Sequence, residues 1–134
     1  MNQEPLWLNR QFIDAAHSKQ LQEHGGLPGT RDENALESAL ARPQNLWSYE
    51  PDTSLFKLAA AYCFGIAKAH GYVDGNKRAA FAALYTFLLI NDWEVVASQL
   101  EVVEMILAVA SSSLDEEGIE RWLKTHTKPF QDEI

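Results

Sequence analysis

Residues 70–90 read His70-Gly71-Tyr72-Val73-Asp74-Gly75-Asn76-Lys77-Arg78-Ala79-Ala80-Phe81-Ala82-Ala83-Leu84-Tyr85-Thr86-Phe87-Leu88-Leu89-Ile90. Two kinds of sequence meet inside this stretch. From Ala79 to Ile90 no charge interrupts the apolar run, which is shorter than the ~20 residues a membrane span requires and therefore reads as a helix buried in a protein core. The helix is expected over 75–90, apolar nearly all round, as the centre of the fold. Before it lies a short polar loop with two glycines, one aspartate and an adjacent Lys-Arg pair.

Outward from that centre, apolar residues keep helical spacing almost everywhere and alternating strand patterns are nearly absent, so the chain reads as all-α with about six helices. A helix from Asn9 to His24 places Phe12, Ile13, Ala16 and Leu21 inward and ends at Gly25-Gly26. Thr30 with Glu33 has the form of a capping box for a short helix through Leu36 and Leu40, expected to stop near Arg42-Pro43. Residues 43–53, with Pro43, Trp47, Tyr49 and Pro51, read as an aromatic loop and a candidate flap, although core packing accounts for Trp47 and Tyr49 equally well. A helix from Ser54 to Ala69 follows, with Leu55, Leu58, Ala59, Tyr62 and Ile66 on one stripe. Beyond the centre, Trp93–Val96 is briefly extended, Ser98 and Glu101 form a second capping-box pattern, and a last helix begins near Asp115. The tail after Pro129 is polar enough to fray.

At 134 residues and 46% hydrophobic content the chain suffices for one core, and a single domain over 1–134 is expected. The lone Cys63 has no intrachain partner, so no disulfide supports the fold and a reducing cytoplasm fits. Met1–Pro5 lack the basic and apolar segments of a secretory signal. A net charge of −8 and a pI near 4.9 oppose direct binding to nucleic acid, whose affinity comes from counterion release by Lys and Arg. The few basic residues thereby become informative, above all Lys77 and Arg78.

The loop 70–78 opens straight into the central helix. The first N–H groups of a helix have no intrahelical partners and sit at the positive end of its dipole, so an anion is well accommodated there. Gly75 permits close backbone approach, Asn76 donates and accepts hydrogen bonds, and Lys77 and Arg78 add positive charge. Asp74 is a hard oxygen ligand suited to Mg²⁺ beside ATP phosphates, and His70 is suited to take a proton from an attacking hydroxyl near neutral pH. The spacing is not that of a Walker A loop, since no Ser or Thr follows Lys77 and no strand precedes the loop.

The ordered set His70, Tyr72, Asp74, Asn76, Lys77, Arg78 is similar to the signature of the death-on-curing (Doc) toxins, a branch of the Fic superfamily. Gly26-Leu27-Pro28-Gly29-Thr30-Arg31-Asp32 and Leu36-Glu37-Ser38-Ala39-Leu40-Ala41-Arg42-Pro43 also look like the early part of such proteins, so the resemblance covers most of the chain. It implies a compact Fic/Doc-like helical bundle in which His70 is the catalytic base, Asp74 the Mg²⁺ ligand, and Gly75, Asn76, Lys77 and Arg78 hold nucleotide phosphates. It further implies a toxin-antitoxin toxin that transfers the γ-phosphate of ATP to a hydroxyl of elongation factor Tu and arrests translation. An antitoxin with a disordered segment that docks in a groove would hold it inactive. Adenylyl-transferring Fic proteins carry a second glycine where Lys77 stands and a second arginine where Phe81 stands, and both absences favour kinase chemistry. AMP transfer and a non-catalytic binding module of the same fold are the alternatives. Tyr72 takes a position usually held by phenylalanine.

Taken singly, each feature has a plainer explanation. Asp74 could cap the helix, His70 could bond to backbone, and Lys77-Arg78 could be solvated first-turn charges; Asp32 is at least as well explained by helix capping. His17, His24 and His126 lack metal-ligand spacing and Cys63 has no companion base, so all four read as structural or exposed.

Overall fold

The computed structural model describes residues 3–131, and among them the elements run α1 (Arg10–His24), α2 (Glu33–Tyr49), α3 (Leu55–Ala69), α4 (Asn76–Ile90), β1 (Trp93–Val95), α5 (Gln99–Ala110), α6 (Glu116–His126) and β2 (Thr127–Pro129). The all-α expectation holds, with one small two-stranded sheet added. α4 buries Ala79, Ala80, Ala83, Leu84, Phe87 and Leu88. α3 is enclosed as completely, for Leu58, Ala59, Ala60, Ala61, Tyr62 and Cys63 are consecutive and all buried, which requires packing on every side of the helix. The centre is therefore an antiparallel helix pair joined by the loop 70–75, with α2 and α6 packed on α3 and α1 packed on α4.

Helix starts follow the chemistry of unpaired N–H groups. Asn9 accepts from Phe12 N at 2.8 Å, Ser54 from Lys57 N at 3.1 Å, and Asp115 from Gly118 N at 2.8 Å. At α5 the capping box expected from Ser98 and Glu101 is complete, with reciprocal bonds of 3.1 and 2.8 Å.

Two expectations are corrected between residues 30 and 53. The cap of α2 is Asp32, which accepts from Ala35 N at 3.0 Å, whereas the Thr30 backbone pairs with Tyr72 in an isolated antiparallel bridge. The helix also continues through Pro43 to Tyr49, so 43–53 is not a flap. Leu36, Ala39, Leu40 and Pro43 are buried on one stripe that Leu46 and Trp47 extend into partly buried positions. Burial of that stripe outweighs the ~3 kcal/mol a proline costs inside a helix. At Ala39, whose carbonyl loses its usual donor to Pro43, α3 presents Gly65, and a Cβ there would stand 3.6 Å from that carbonyl oxygen. Trp47 packs edge-on to Trp7, centroids 6.3 Å apart, while Tyr49 is exposed.

α1 carries a further correction. Phe12, Ala16 and Leu21 are only partly buried, and the inward stripe is Ile13 and His17. At the far end of α4, β1 pairs with β2 in the register Trp93–Pro129, Glu94–Lys128, Val95–Thr127. Phe130 N continues the contact by donating to Asp92 O at 2.8 Å, so the fraying expected after Pro129 does not begin there; residues 132–134 lie outside the described residues. The segment before α1 is fastened at the same end, where the Asn91 side chain accepts from Leu6 N at 2.9 Å and donates to Leu6 O at 3.0 Å. No helix among the described residues is long and apolar enough to cross a membrane.

Candidate active site

α3 ends at His70, whose left-handed backbone (φ 50°, ψ 43°) reverses the chain. Gly71 follows at a crossing with the start of α2. Its carbonyl accepts from Arg31 N at 2.7 Å and from Asp32 N at 3.0 Å, and a Cβ on it would meet Leu36 Cβ at 2.9 Å. Val73 N donates to Gly29 O at 3.0 Å, so the segment 29–32 lies alongside 71–73 and braces it. Arg31 thus shapes the loop through its main chain.

Asn76 closes the turn. Its Oδ1 accepts from Tyr72 N at 3.0 Å and its Nδ2 donates to Tyr72 O at 2.9 Å, so both main-chain polar groups of Tyr72 are bonded by one side chain. Gly75 caps α4 at φ 78°, a left-handed conformation that glycine adopts without strain. Asp74 stands just before it, exposed. Its Oδ2 accepts from Leu27 N at 3.1 Å and its Oδ1 from Gly75 N at 2.8 Å. Those two N–H donors, aided by the charges of Arg78 and Lys77, lower the Asp74 carboxyl below the usual aspartate range and hold it ionised.

Behind the loop, α1 supplies a polar arm. Tyr72, 3% exposed, donates its hydroxyl to Asp14 Oδ1 at 2.7 Å. Asp14 pairs with Arg10 Nε at 2.9 Å, and Arg10 reaches Glu37 at 2.7 Å and also pairs with Glu33. Burial pushes the Tyr72 hydroxyl pKa up, and its bond to the Asp14 carboxylate pushes it further.

Asp74, Gly75, Asn76, Lys77 and Arg78 together form one wall of an open cleft of about 550 Å³. Phe81 extends that wall along α4, Gln20 and His24 of α1 flank it, and the opposite side is the apolar surface of α5 at Val102, Val103, Ile106 and Leu107. His70 does not line this cleft; it stands exposed at the other end of the same loop. The arrangement has a charged end, where the start of α4 and two cationic side chains favour an anion, and an apolar end. Among the described residues no group of three or more His, Cys, Asp and Glu side chains is placed to hold a metal by itself. One ionised carboxylate beside an anion site does fit a cation such as Mg²⁺, which takes most of its ligands from water and substrate phosphates.

The sequence reading missed the contribution of α1 and α5. His24, Gln20 and the α5 surface line the cleft, and His17 is buried beneath the loop. The only signal for His17 was its place four residues after Ile13 on the inward stripe. Cys63 is buried and its thiol is pushed up to about 12 by burial, in keeping with a structural role.

Residues 7–88 match the model of the Fic/DOC family. The protein named Protein kinase doc of Escherichia phage P1 is 32% identical over 100 residues, covering 75% of this chain and 79% of the relative. Toxin Doc of Mycolicibacterium smegmatis is 42% identical over 74 residues, covering 54% of this chain and 57% of that protein.

Proposed function

The chain belongs to the Fic/DOC family, among the Doc toxins, and from that premise we propose that it is the toxin of a toxin-antitoxin pair and acts as a protein kinase. The acceptor in this reading is a Ser or Thr hydroxyl of a translation factor, elongation factor Tu by resemblance. One observation carries the proposal: the ionised Asp74 carboxylate, the start of α4, Lys77 and Arg78 all open into one cleft whose far side is apolar. A nucleoside triphosphate has the same polarity, with charge at one end and a flat, largely apolar base at the other.

The phosphates of ATP are held by the N–H groups that open α4 and by Lys77 and Arg78. Asn76 acts on them indirectly, because its side chain already fastens the loop to the Tyr72 main chain. Asp74 would hold Mg²⁺, which when bound supplies neutralising charge on the phosphates. His70 accepts the proton of the acceptor hydroxyl as its oxygen bonds to the γ-phosphorus. The bond from that phosphorus to the bridging oxygen breaks, and ADP leaves. Exposure of His70 outside the cleft supports an acceptor arriving from solvent.

A second groove, between α1 and α4, is lined by Phe12, Ala16, Lys19, Phe81 and Tyr85 and shares Gln20, Phe81 and Ala82 with the cleft. An amphipathic antitoxin segment seated there abuts the nucleotide site, which supports inhibition by occupation of that groove.

The test is a transfer assay with ATP labelled at the α- or the γ-phosphate, with elongation factor Tu or cell extract as acceptor and His70→Asn as control. Label from γ that vanishes in the variant is the expected result. Label from α means AMP transfer despite Phe81, and no label from either leaves a binding module.

A further inference from the structure

His17 is the buried polar side chain of the described core, at 5% exposure, and the reaction above does not use it. Its ring lies flat on that of Tyr72, with centroids 3.7 Å apart and planes 7° from parallel. Its Nε2 is 2.6 Å from the main-chain oxygen of Asp74. A carbonyl oxygen only accepts, so Nε2 carries the proton and donates it.

That bond acts on a peptide plane. A trans peptide sends its C=O and N–H in opposite directions. With the Asp74 carbonyl drawn back onto α1, the N–H of Gly75 is turned away from α1, where it donates to Asp74 Oδ1 at 2.8 Å. The ring packs directly against residue 75, where a Cβ would stand 3.3 Å from His17 Cδ2 and Nε2. The ring that His17 rests on is itself fixed, because the Tyr72 hydroxyl is bonded to Asp14 at 2.7 Å and its main chain to Asn76.

We propose that His17 is a positioning residue for Asp74: it sets the Asp74–Gly75 peptide plane from behind, turns the Gly75 N–H onto Asp74 Oδ1, and so aims the Asp74 carboxylate into the cleft. Its effect on magnesium and nucleotide rests on the functional reading above, whereas its effect on the peptide plane does not. Two variants separate the features of the side chain. His17→Phe keeps a flat ring over Tyr72 and loses the donor; His17→Gln loses the ring and keeps an amide N–H at similar reach.

The experiment records backbone amide NMR spectra and thermal midpoints of the wild type and both variants. Calorimetric titration with a non-hydrolysable ATP analogue over a range of Mg²⁺ concentrations follows. In His17→Phe the Gly75 amide resonance moves, and the Mg²⁺ needed for half-maximal nucleotide binding rises by about tenfold, the usual effect of losing a residue that orients a metal ligand. His17→Gln restores most of both. If the Phe variant keeps the wild-type Gly75 resonance and Mg²⁺ requirement, the inference is overturned. Should the Phe variant fail to fold, the Gln variant decides: wild-type values support the donor role and lost ones refute it. A wild type that binds no nucleotide at any Mg²⁺ concentration refutes the functional reading alone, and the Gly75 resonance still decides the peptide-plane role.

Discussion

Replacing Tyr72 by phenylalanine removes one oxygen atom and leaves the ring that His17 stacks on. The lost bond is charge-assisted and 2.7 Å long, a kind that contributes roughly 1.5–3 kcal/mol when both partners are dry. Asp14 is not dry, since 48% of its side chain is exposed, so water takes over part of its solvation and the cost falls to about 1 kcal/mol. For a chain of this size that is a drop in Tm of roughly 3–5 °C. Burial raises the Asp14 carboxyl pKa, but the bonds from Arg10 and Tyr72 more than offset it, and the net shift is downward. A lowered carboxylate contributes its stability above the unfolded value and loses it as pH falls through the folded one. Urea unfolding followed by tryptophan fluorescence, in a cycle with Asp14→Asn, should therefore give a coupling energy of about 1 kcal/mol at pH 7 that fades towards pH 3. A coupling indistinguishable from zero at pH 7, or one undiminished at pH 3, would refute this account of the α1 arm.

Three further perturbations probe the site and the core. His70→Asn keeps a residue tolerant of the left-handed backbone, so stability should hold while phosphotransfer falls by about 100-fold or more, read as γ-label incorporated per minute. Asp74 is held ionised by the Leu27 and Gly75 N–H groups, so Mg²⁺-dependent nucleotide binding should persist as pH falls into the ordinary aspartate range; in Asp74→Asn that Mg²⁺ dependence should disappear at every pH, as titration calorimetry would show. Phe87 is fully buried between Trp7 and Tyr62, and Phe87→Ala should cost about 3–5 kcal/mol in chemical denaturation.

The helical architecture was legible because α3 and α4 are apolar over long uninterrupted stretches, and the Ser98 box was legible because its two partners are three residues apart. Local rules failed where a distant surface decided the outcome. Pro43 looks like a stop until its ring is placed on the stripe of Leu36, Ala39 and Leu40, and Thr30 looks like a cap until its backbone is seen against Tyr72. The residues Asp74 to Arg78 were found together because they are contiguous. Val103 and Leu107 were not, because their place opposite that loop depends on how α5 returns across α4, which no spacing in the chain records. His17 was passed over because a lone histidine on a polar helix carries no sign of the carbonyl it will meet.

The β1–β2 pair and the Asn91 clasp bring residues 6 and 130 to the end of α4 remote from Gly75. With 15 residues in α4 and a rise of ~1.5 Å each, that pole lies about 22 Å from Gly75. A fluorophore or surface tether attached at Glu4 or Gln131 therefore leaves both the cleft and the His70 face open to an arriving protein. The same separation makes the molecule suited to single-molecule observation from a tethered surface.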